Sequence, residues 1–307
     1  MAATPPAATA SPPSPPDFQL RPSRFDAAAV GGLLCRRGFV VVDHFLGLDA
    51  ARAVRDGIQQ LDADKLMRPG KIQAGAAQLE AVNETRSDRI AFLPKIGSNG
   101  GGQAAGAPKG ADTVPRDRCA PALLAMSETA DALRERLTKY QPLVERVDGG
   151  MDGCNFMCAT YPGGGARYVK HRDALPYKAG RKLTVIYYLN EQWEQGHGGE
   201  LRIWPTDGSD ETVTIEPLAD RLLLFISSLE HEVLPAWRPR FALTTWLFNK
   251  RDTALELMAE EIRGKVKSGK LSTKELLEQI ENATSSSEEE EEEKREPVAR
   301  KKLQNGR

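Results

Sequence analysis

The order of apolar and polar residues divides the chain into a helical first half and a strand-rich second half. Apolar residues recur at helical spacing in FDAAAVGGLLCRR (25–37), LDAARAVRDGIQQLDA (48–63) and APALLAMSETADALRERLTKYQPLV (120–144). A β-branched run, GFVVVDHFL (38–46), separates the first two helices, and RIAFL (89–93) predicts a short strand. We therefore expect a layer of helices to precede the sheets.

From residue 151 onward, short apolar runs alternate with clusters of turn residues. These runs are GCNFMCATY, GARYVKH, KLTVIYYL, GELRIWP, TVTIEP, DRLLLFI, HEVLPAW and RFALTTWLF. A spacing of about 8–14 residues between such runs is typical of an antiparallel sandwich or barrel of the jelly-roll class. The pattern as a whole predicts an α+β fold, in which N-terminal helices brace a double sheet.

Composition sets the boundaries of the folded domain. A Pro- and Ala-rich arm and a charged, acidic C-terminal tail are each expected to be disordered, and a Gly-rich stretch is expected to form a flexible insertion. The tail begins with helical, charged sequence in which Ser272 and Glu275 have the spacing of a capping box. The predicted segments are the arm 1–17, the domain 18–250 with helical support over 18–150, the insertion 97–117, the core 151–250 and the tail 251–307.

Charge and hydropathy argue against two classes of partner. The formal net charge is −1, and because Glu288 to Glu293 supply six negative charges, the remainder of the chain carries about +5. This is far from the strongly basic stripe that nucleic-acid binding requires. No stretch approaches the roughly 20 apolar residues of a membrane span, so we expect a soluble monomer that binds neither nucleic acid nor membrane.

The four cysteines indicate a reducing compartment. Cys154 and Cys158 form the closest pair, but on a strand their positions are about 13 Å apart, which exceeds the disulfide limit of about 7 Å. We therefore expect free thiols and a cytoplasmic protein. The basic KREPVARKK in the tail leaves the nucleus as an alternative.

His171 and Asp173 form the first part of a candidate metal site. Side chains two apart on a strand face the same way, so both can reach one ion. His231 follows the apolar run DRLLLFI and is the favoured third ligand, although His44 and His197 are also available. Two histidines and one carboxylate are the ligands that hold Fe(II) in non-haem oxygenases. The alternative is that these side chains are ordinary polar residues of a loop.

Arg240 lies at the start of the apolar run RFALTTWLF. An arginine buried there is costly unless a carboxylate meets it, and no acidic residue lies nearby in sequence. The carboxylate of a bound ligand is one candidate partner, and an acid of the core is the other.

Seven stretches together resemble one family in the same order. They are CRRGFVVVDHFLG, RSDRIAFL, YPGGGARYVKHRD, IYYLNEQW, GGELRIWP, IEPLADRLLLF and HEVLPAWRPRFALTTWLF. The chain resembles the 2-oxoglutarate- and Fe(II)-dependent prolyl 4-hydroxylases, and within them the hypoxia-inducible-factor (oxygen-sensing) type. The resemblance covers roughly residues 25–250 and implies that the jelly roll is a double-stranded β-helix.

The resemblance also implies a set of site residues. His171, Asp173 and His231 would hold Fe(II), and 2-oxoglutarate would chelate the metal and pair its C5 carboxylate with Arg240. Other residues implied to bind the cosubstrate are Tyr161, Tyr188, Thr244 and Trp246. L-Ascorbate would restore oxidised iron.

The implied reaction joins one oxygen atom of O2 to C4 of a proline in a protein substrate and releases succinate and CO2. Arg181, Asp88 and Arg89 match positions near the substrate, and residues 71–89 match a substrate-covering loop. The insertion 97–117 and the acidic tail have no counterpart in the family. Two alternatives stay open: an oxygenase for another residue or a small molecule, and a non-catalytic jelly-roll binding module. A zinc hydrolase is disfavoured because no HExxH motif occurs.

Overall fold

The computed structural model describes residues 16–21, 24–74, 77–80, 85–94, 113–174, 180–205, 211–270, 272 and 274–275. Most of the predicted arm, most of the insertion and nearly all of the tail beyond residue 270 lie outside these residues. Five α-helices occur in the described part of the chain. They are α1 (Ala27–Arg37), α2 (Leu48–Ala63), α3 (Pro121–Thr138), α4 (Gln141–Arg146) and α5 (Lys250–Lys267).

Thirteen strands occur in the described residues. They are β1 (Phe39–Val42), β2 (Arg68–Pro69), β3 (Lys71–Ala74), β4 (Ala77–Glu80), β5 (Arg89–Phe92), β6 (Gly153–Tyr161), β7 (Ala166–His171), β8 (Arg181–Tyr188), β9 (Leu201–Ile203), β10 (Val213–Ile215), β11 (Arg221–Ile226), β12 (His231–Ala236) and β13 (Arg240–Phe248).

The strands form two main antiparallel sheets. The larger sheet has the order β1-β11-β8-β13-β6-β5-β2, the smaller has the order β10-β9-β12-β7, and β3 pairs only with β4. From β6 to β13 the chain passes repeatedly from one sheet to the other, with only β9 and β10 adjacent in both sequence and sheet. This alternation is the topology of a double-stranded β-helix, and it confirms the predicted fold class.

Burial explains why the strands of the two sheets differ in sequence. The central strands of the larger sheet, β8, β11 and β13, are buried at nearly every position, and most of their residues are apolar. The smaller sheet exposes one face, so β7 and β12 mix buried with exposed or half-buried positions. A strand that is covered on both faces needs apolar residues on both, whereas a half-covered strand alternates.

The helices cover the outer face of the larger sheet. Helix α2 contacts α3, β6 and β13, and α3 also contacts β6. At Gly57 of α2, a Cβ atom would lie 2.9 Å from Cγ of Leu123, so the two helices approach closely where the side chain is only a hydrogen. The smaller sheet is left as the open side of the double-stranded β-helix.

Most predicted elements are confirmed, and α2 and β6 have the predicted bounds. The single helix expected over 120–144 is wrong, because α3 ends at Thr138 and α4 begins at Gln141. Pro142 has no N–H to donate to the carbonyl of Thr138, and its ring would collide with that carbonyl in a continuous helix. The pair β3–β4 lies within residues 71–89, which were expected to form a loop, so these two strands were not predicted.

The described residues divide into two compact units between Glu256 and Leu257. The second unit contains the end of α5 and the predicted capping box, which is confirmed: the Glu275 N–H donates to the Ser272 hydroxyl, and the Ser272 N–H donates to the Glu275 carboxylate. All four cysteines are free thiols, as predicted. Among the described residues, no helix combines the length and the apolar content that a membrane span requires.

Candidate metal and cosubstrate site

Two histidines face each other across the smaller sheet. His171 is the last residue of β7, His231 is the first residue of β12, and the two are partners in the antiparallel ladder. Their ring centroids are 4.2 Å apart. Nδ1 of His171 lies 2.8 Å from the carbonyl oxygen of Val169, and Nδ1 of His231 lies 3.0 Å from that of Leu229. Because a carbonyl oxygen can only accept, each Nδ1 carries the proton and each Nε2 keeps a free lone pair.

Asp173 completes the group from the bend that follows β7. Its two carboxylate oxygens lie 3.9 Å and 3.8 Å from Nε2 of His171 and His231. The expectation that Asp173 shares a strand with His171 is wrong, because β7 ends at His171. The hydroxyl of Thr184 donates to Asp173 Oδ2 at 2.7 Å and thereby fixes the orientation of the carboxylate.

The three side chains fit a divalent transition metal. One ligand atom from each lies within 4.8 Å of the other two. Burial and the neighbouring His231 lower the pKa of His171 to about 3, so its imidazole is neutral, as metal binding requires. Burial would raise the pKa of Asp173, but the adjacent His231 and His171, Arg181 and the hydrogen bond from Thr184 outweigh it and lower the pKa to about 2. A group of two neutral imidazoles and one carboxylate is the ligand set suited to Fe(II).

Arg240, the first residue of β13, lies deep in the larger sheet with 4% of its surface exposed. Its guanidinium carbon lies 4.9 Å from the ring centre of Tyr161 and 5.1 Å from that of Tyr188. Nε donates to the carbonyl of Gly199 at 2.7 Å. Cation–π contacts and this hydrogen bond orient the guanidinium, but they do not neutralise its charge.

Two buried polar atoms, one in this guanidinium and one in a neighbouring tyrosine, make no hydrogen bond within the described residues. They are Nη2 of Arg240 and the hydroxyl of Tyr188, and both are buried. Burial also raises the pKa of Tyr188 to about 12, so its hydroxyl is a donor at neutral pH. A buried guanidinium nitrogen and a buried hydroxyl that lack hydrogen-bond partners are costly, and the carboxylate of a bound acid would satisfy both. The residues present therefore fit a carboxylate-bearing cosubstrate.

Alternation along three neighbouring strands brings the other predicted residues to the same face. Arg240, Thr244 and Trp246 are separated by even steps on β13, while Tyr161 is the β6 partner of Arg240 and Tyr188 is the β8 partner of Ala242. Thr244 and Trp246 are 8% and 6% exposed. The larger sheet thus supplies the anchoring residues, and the smaller sheet supplies both histidines.

Comparison with known proteins gives the family. The model of the 2OG-Fe(II) oxygenase superfamily matches residues 156–248, which contain the three candidate ligands and Arg240. Over 225 residues, the chain is 36% identical to the Hypoxia-inducible factor prolyl hydroxylase of Caenorhabditis elegans, and the match covers 71% of this chain and 28% of that protein. It is 34% identical over 224 residues to the mouse Prolyl hydroxylase EGLN3, covering 71% of this chain and 81% of that protein. The chain belongs to the prolyl hydroxylases of this superfamily.

The solved structures agree with this membership. A prolyl hydroxylase from Trichoplax adhaerens, in complex with a hypoxia inducible factor oxygen degradation domain peptide fragment, is similar with a TM-score of 0.60 and 30% identity. The similarity covers 75% of this chain and 91% of the other. The nematode relative is much longer, since the match spans under a third of its length. The resemblance inferred from the sequence motifs is therefore confirmed at the level of the family.

The prolyl hydroxylase site also contains residues that sequence reasoning missed. Thr184 supports Asp173, and its signal is a polar residue buried inside the apolar run KLTVIYYL. The ring of Tyr168 stacks on His171 with centroids 3.7 Å apart. The guanidinium carbon of Arg86 lies 4.5 Å from the centre of the Tyr168 ring. No periodicity in the sequence predicts these two contacts.

The three predicted substrate residues lie in different surroundings. Arg181 stacks on the ring of Trp246 at 4.1 Å, beside the metal ligands. Asp88 is 2% exposed and pairs with Arg86, with Oδ1 2.6 Å from Nε. Burial disfavours the charged form of Arg86, but Asp88 outweighs it, so the pKa of Arg86 is raised. Arg89 is directed toward α2, where it pairs with Asp62 at 2.9 Å, and it does not join the other two.

The two remaining histidines, which the sequence left available as third ligands, lie in turns. His44 lies in the turn between β1 and α2 with φ 57°. His197 lies in the short turn 195–197, where its Nδ1 accepts a hydrogen bond from the backbone N–H of Glu194. Neither belongs to the group of candidate metal ligands found among the described residues.

Proposed function

We propose that this protein hydroxylates proline residues of a protein substrate, with O2 and 2-oxoglutarate as cosubstrates and with release of succinate and CO2. The observation that supports this most directly is the joint presence of the His171, Asp173 and His231 group and the unsatisfied Arg240 anchor in one double-stranded β-helix. The family membership supports the same reaction. Hydroxylation at C4 of the proline ring is part of the proposal.

His171, Asp173 and His231 would hold Fe(II) and leave further coordination positions for the cosubstrate and oxygen. Bound Fe(II), together with 2-oxoglutarate, supplies the activation of O2 that side chains cannot provide. The protein itself would contribute the orientation of the two imidazoles. Each Nδ1–H is held by a backbone carbonyl, so the unprotonated Nε2 of each ring is directed to the metal. The protein also holds the carboxylate in place through Thr184.

Arg240 would bind the C5 carboxylate of 2-oxoglutarate. Its Nε is committed to the Gly199 carbonyl, which leaves the outer guanidinium nitrogens for the ligand. Tyr188 would add a hydrogen bond from its hydroxyl, and Thr244 and Tyr161 complete the same wall of the site. Because these groups are buried, their charge-assisted bonds would be stronger than the same bonds in water.

The protein substrate would approach the metal from the side of Arg181 and Trp246. Arg181 is half-buried and stands at the boundary between the interior and solvent. Asp88 would act through the buried Arg86–Asp88 pair, whereas Arg89, which pairs with Asp62 on α2, lies apart from this approach. The relatives named for hypoxia-inducible factor support a role in oxygen sensing.

The proposal also covers the reductant, the oligomeric state and the cellular compartment. L-Ascorbate would act as the reductant that restores Fe(II), and the enzyme would act as a monomer. Four free thiols support a reducing compartment, and we propose the cytoplasm, with the nucleus as the alternative.

A peptide-library assay tests the proposed function. The purified chain is incubated with Fe(II), 2-oxoglutarate and ascorbate, and the products are read by site-localised mass spectrometry. We expect a gain of one oxygen on proline, with an equal yield of succinate, and neither from His231→Ala. Oxygen on another residue would indicate an oxygenase for a different target. The absence of both succinate and modified peptide across the library would indicate a binding module.

A further inference from the structure

The first two turns of α5 are fixed to the edge of the site by polar contacts. Nζ of Lys182, on β8, lies 2.8 Å from the carboxylate of Asp252 and donates to the carbonyl of Asp148 at 2.7 Å. The Asn249 amide donates to the carbonyl of Gly150 at 3.0 Å. Lys182 is only 3% exposed, so these are interior contacts. This part of α5 is therefore packed into the compact unit that contains the candidate metal ligands.

Gly180 lets α5 approach the start of β8. A Cβ atom at this position would lie 2.6 Å from Oγ1 of Thr253 and 2.8 Å from Oε2 of Glu256, closer than any side chain tolerates. The Glu256 carboxylate therefore lies directly over the residue before Arg181. Burial lowers the pKa of Arg181, and the negative charges of Asp173 and, next, of Glu256 act against this shift.

Arg181 is thus surrounded on several sides. The Trp246 ring covers one face of the guanidinium at 4.1 Å, and the charge of Asp173 acts from the metal side. Glu256 acts from α5. An arginine at this position could recognise an acidic side chain of an arriving peptide, but an acid of the protein already faces it.

We propose that Glu256 is a specificity-determining residue, which occupies Arg181 and so disfavours substrates with an acidic side chain near the target proline. The inference rests on the proposed function and deepens it by naming a substrate class: segments with neutral or basic residues beside the proline. An acidic neighbour would be repelled by Glu256 and would find Arg181 already engaged. A basic neighbour would be attracted to the Glu256 carboxylate.

The experiment compares Glu256→Gln with the wild-type protein and with Glu261→Gln. Glutamine keeps the size of the side chain and removes its charge. Glu261 lies on the same helix and pairs with the exposed Lys265, so its substitution makes the same charge change in an exposed ion pair. The substrates are otherwise identical proline peptides, in which one Glu, Gln or Lys is moved through the positions that flank the proline.

Two readouts are used for each peptide. One is the dissociation constant measured without oxygen, in the presence of Fe(II) and 2-oxoglutarate, where no turnover occurs. The other is KM and kcat for hydroxylation. With Glu256→Gln we expect the Glu-containing peptide to bind about fivefold more tightly and the Lys-containing peptide about fivefold more weakly at the position nearest Arg181. The Gln peptide and kcat should change little, and Glu261→Gln should behave as wild type.

Thr253→Ala separates charge from packing, because it removes the other contact over Gly180 and keeps Glu256. If Thr253→Ala reproduces the effect of Glu256→Gln, or if all three peptides shift together, the role of Glu256 is structural and the proposal is wrong. An unchanged order of preference in Glu256→Gln overturns it as well. Wild-type protein that binds no peptide and hydroxylates none would instead contradict the proposed function.

Discussion

The substitution Arg240→Lys tests the most specific feature of the candidate cosubstrate site. The planar guanidinium can make two kinds of contact at once: Nε donates to the Gly199 carbonyl, and the buried Nη2 is left free of hydrogen bonds for a ligand. Lysine keeps the charge but has one nitrogen at the end of a flexible stem. It must either leave the carbonyl of Gly199 without its donor or turn away from the ligand.

The expected loss follows from these contacts. A hydrogen bond to a charged group contributes about 1.5–3 kcal/mol in a protein interior, and lysine loses one such bond to the diacid or its equivalent at Gly199. The flat contacts with the rings of Tyr161 and Tyr188 are also weakened. We therefore expect the KM for 2-oxoglutarate to rise about 10- to 100-fold, with a smaller change in kcat because the metal ligands are untouched.

The assay is succinate formation as a function of 2-oxoglutarate concentration, accompanied by calorimetric titration of 2-oxoglutarate without oxygen. Arg202→Lys is the matched control, because Arg202 pairs with Glu232 on the smaller sheet at 38% exposure and has no role in the anchor. A normal KM and a normal dissociation constant in Arg240→Lys would remove Arg240 from the cosubstrate site. An equal loss in Arg202→Lys would show that the assay reports general damage.

Three further substitutions have defined outcomes. His231→Ala should abolish turnover and the rise in melting temperature that Fe(II) or Mn(II) produces, because a ligand is lost; an unchanged metal-induced rise would refute its role. Thr184→Val should weaken metal binding about 10- to 100-fold in a competition titration, since Asp173 loses its hydrogen-bond donor, and normal affinity would show that Thr184 does not orient the ligand. Asp88→Asn should lower the free energy of unfolding in urea by about 3–5 kcal/mol, because it removes the negative charge that pairs with the buried Arg86; a loss below about 1 kcal/mol would mean that water reaches the guanidinium.

The sequence predicted the ligands because their chemistry is rare in their context. His171 and His231 are two of only four histidines, and Arg240 is a charge at the start of an apolar run. Burying such residues in a core is energetically unfavourable unless they bind a partner, so their residue type alone identifies them as candidate site residues. The strands that carry them were predictable for a similar reason, since β8, β11 and β13 are apolar on both faces and have no competing helical period.

The supporting residues depend on geometry that no period in the sequence contains. Tyr168 and His171 are three apart, so a regular strand would point them to opposite faces. In the structure their β12 partners, Val233 and His231, are only two apart, so β7 has one extra residue in this interval. This bulge brings both rings to the metal side, where they stack.

The surroundings of the three predicted substrate residues are set by charged side chains, most of which are far away in sequence. Asp88 and Arg89 are neighbours in the chain and were expected to share one role, but they lie on opposite faces of their strand or its approach. Asp88 points inward to Arg86, and Arg89 pairs with Asp62 on α2. Arg181 belongs to the same class, since Glu256, whose charge acts on it, is 75 residues away and approaches the start of β8 only because Gly180 has no side chain. The candidate metal ligands can therefore be found from residue type, whereas the predicted substrate residues are placed by contacts that form only in the folded chain.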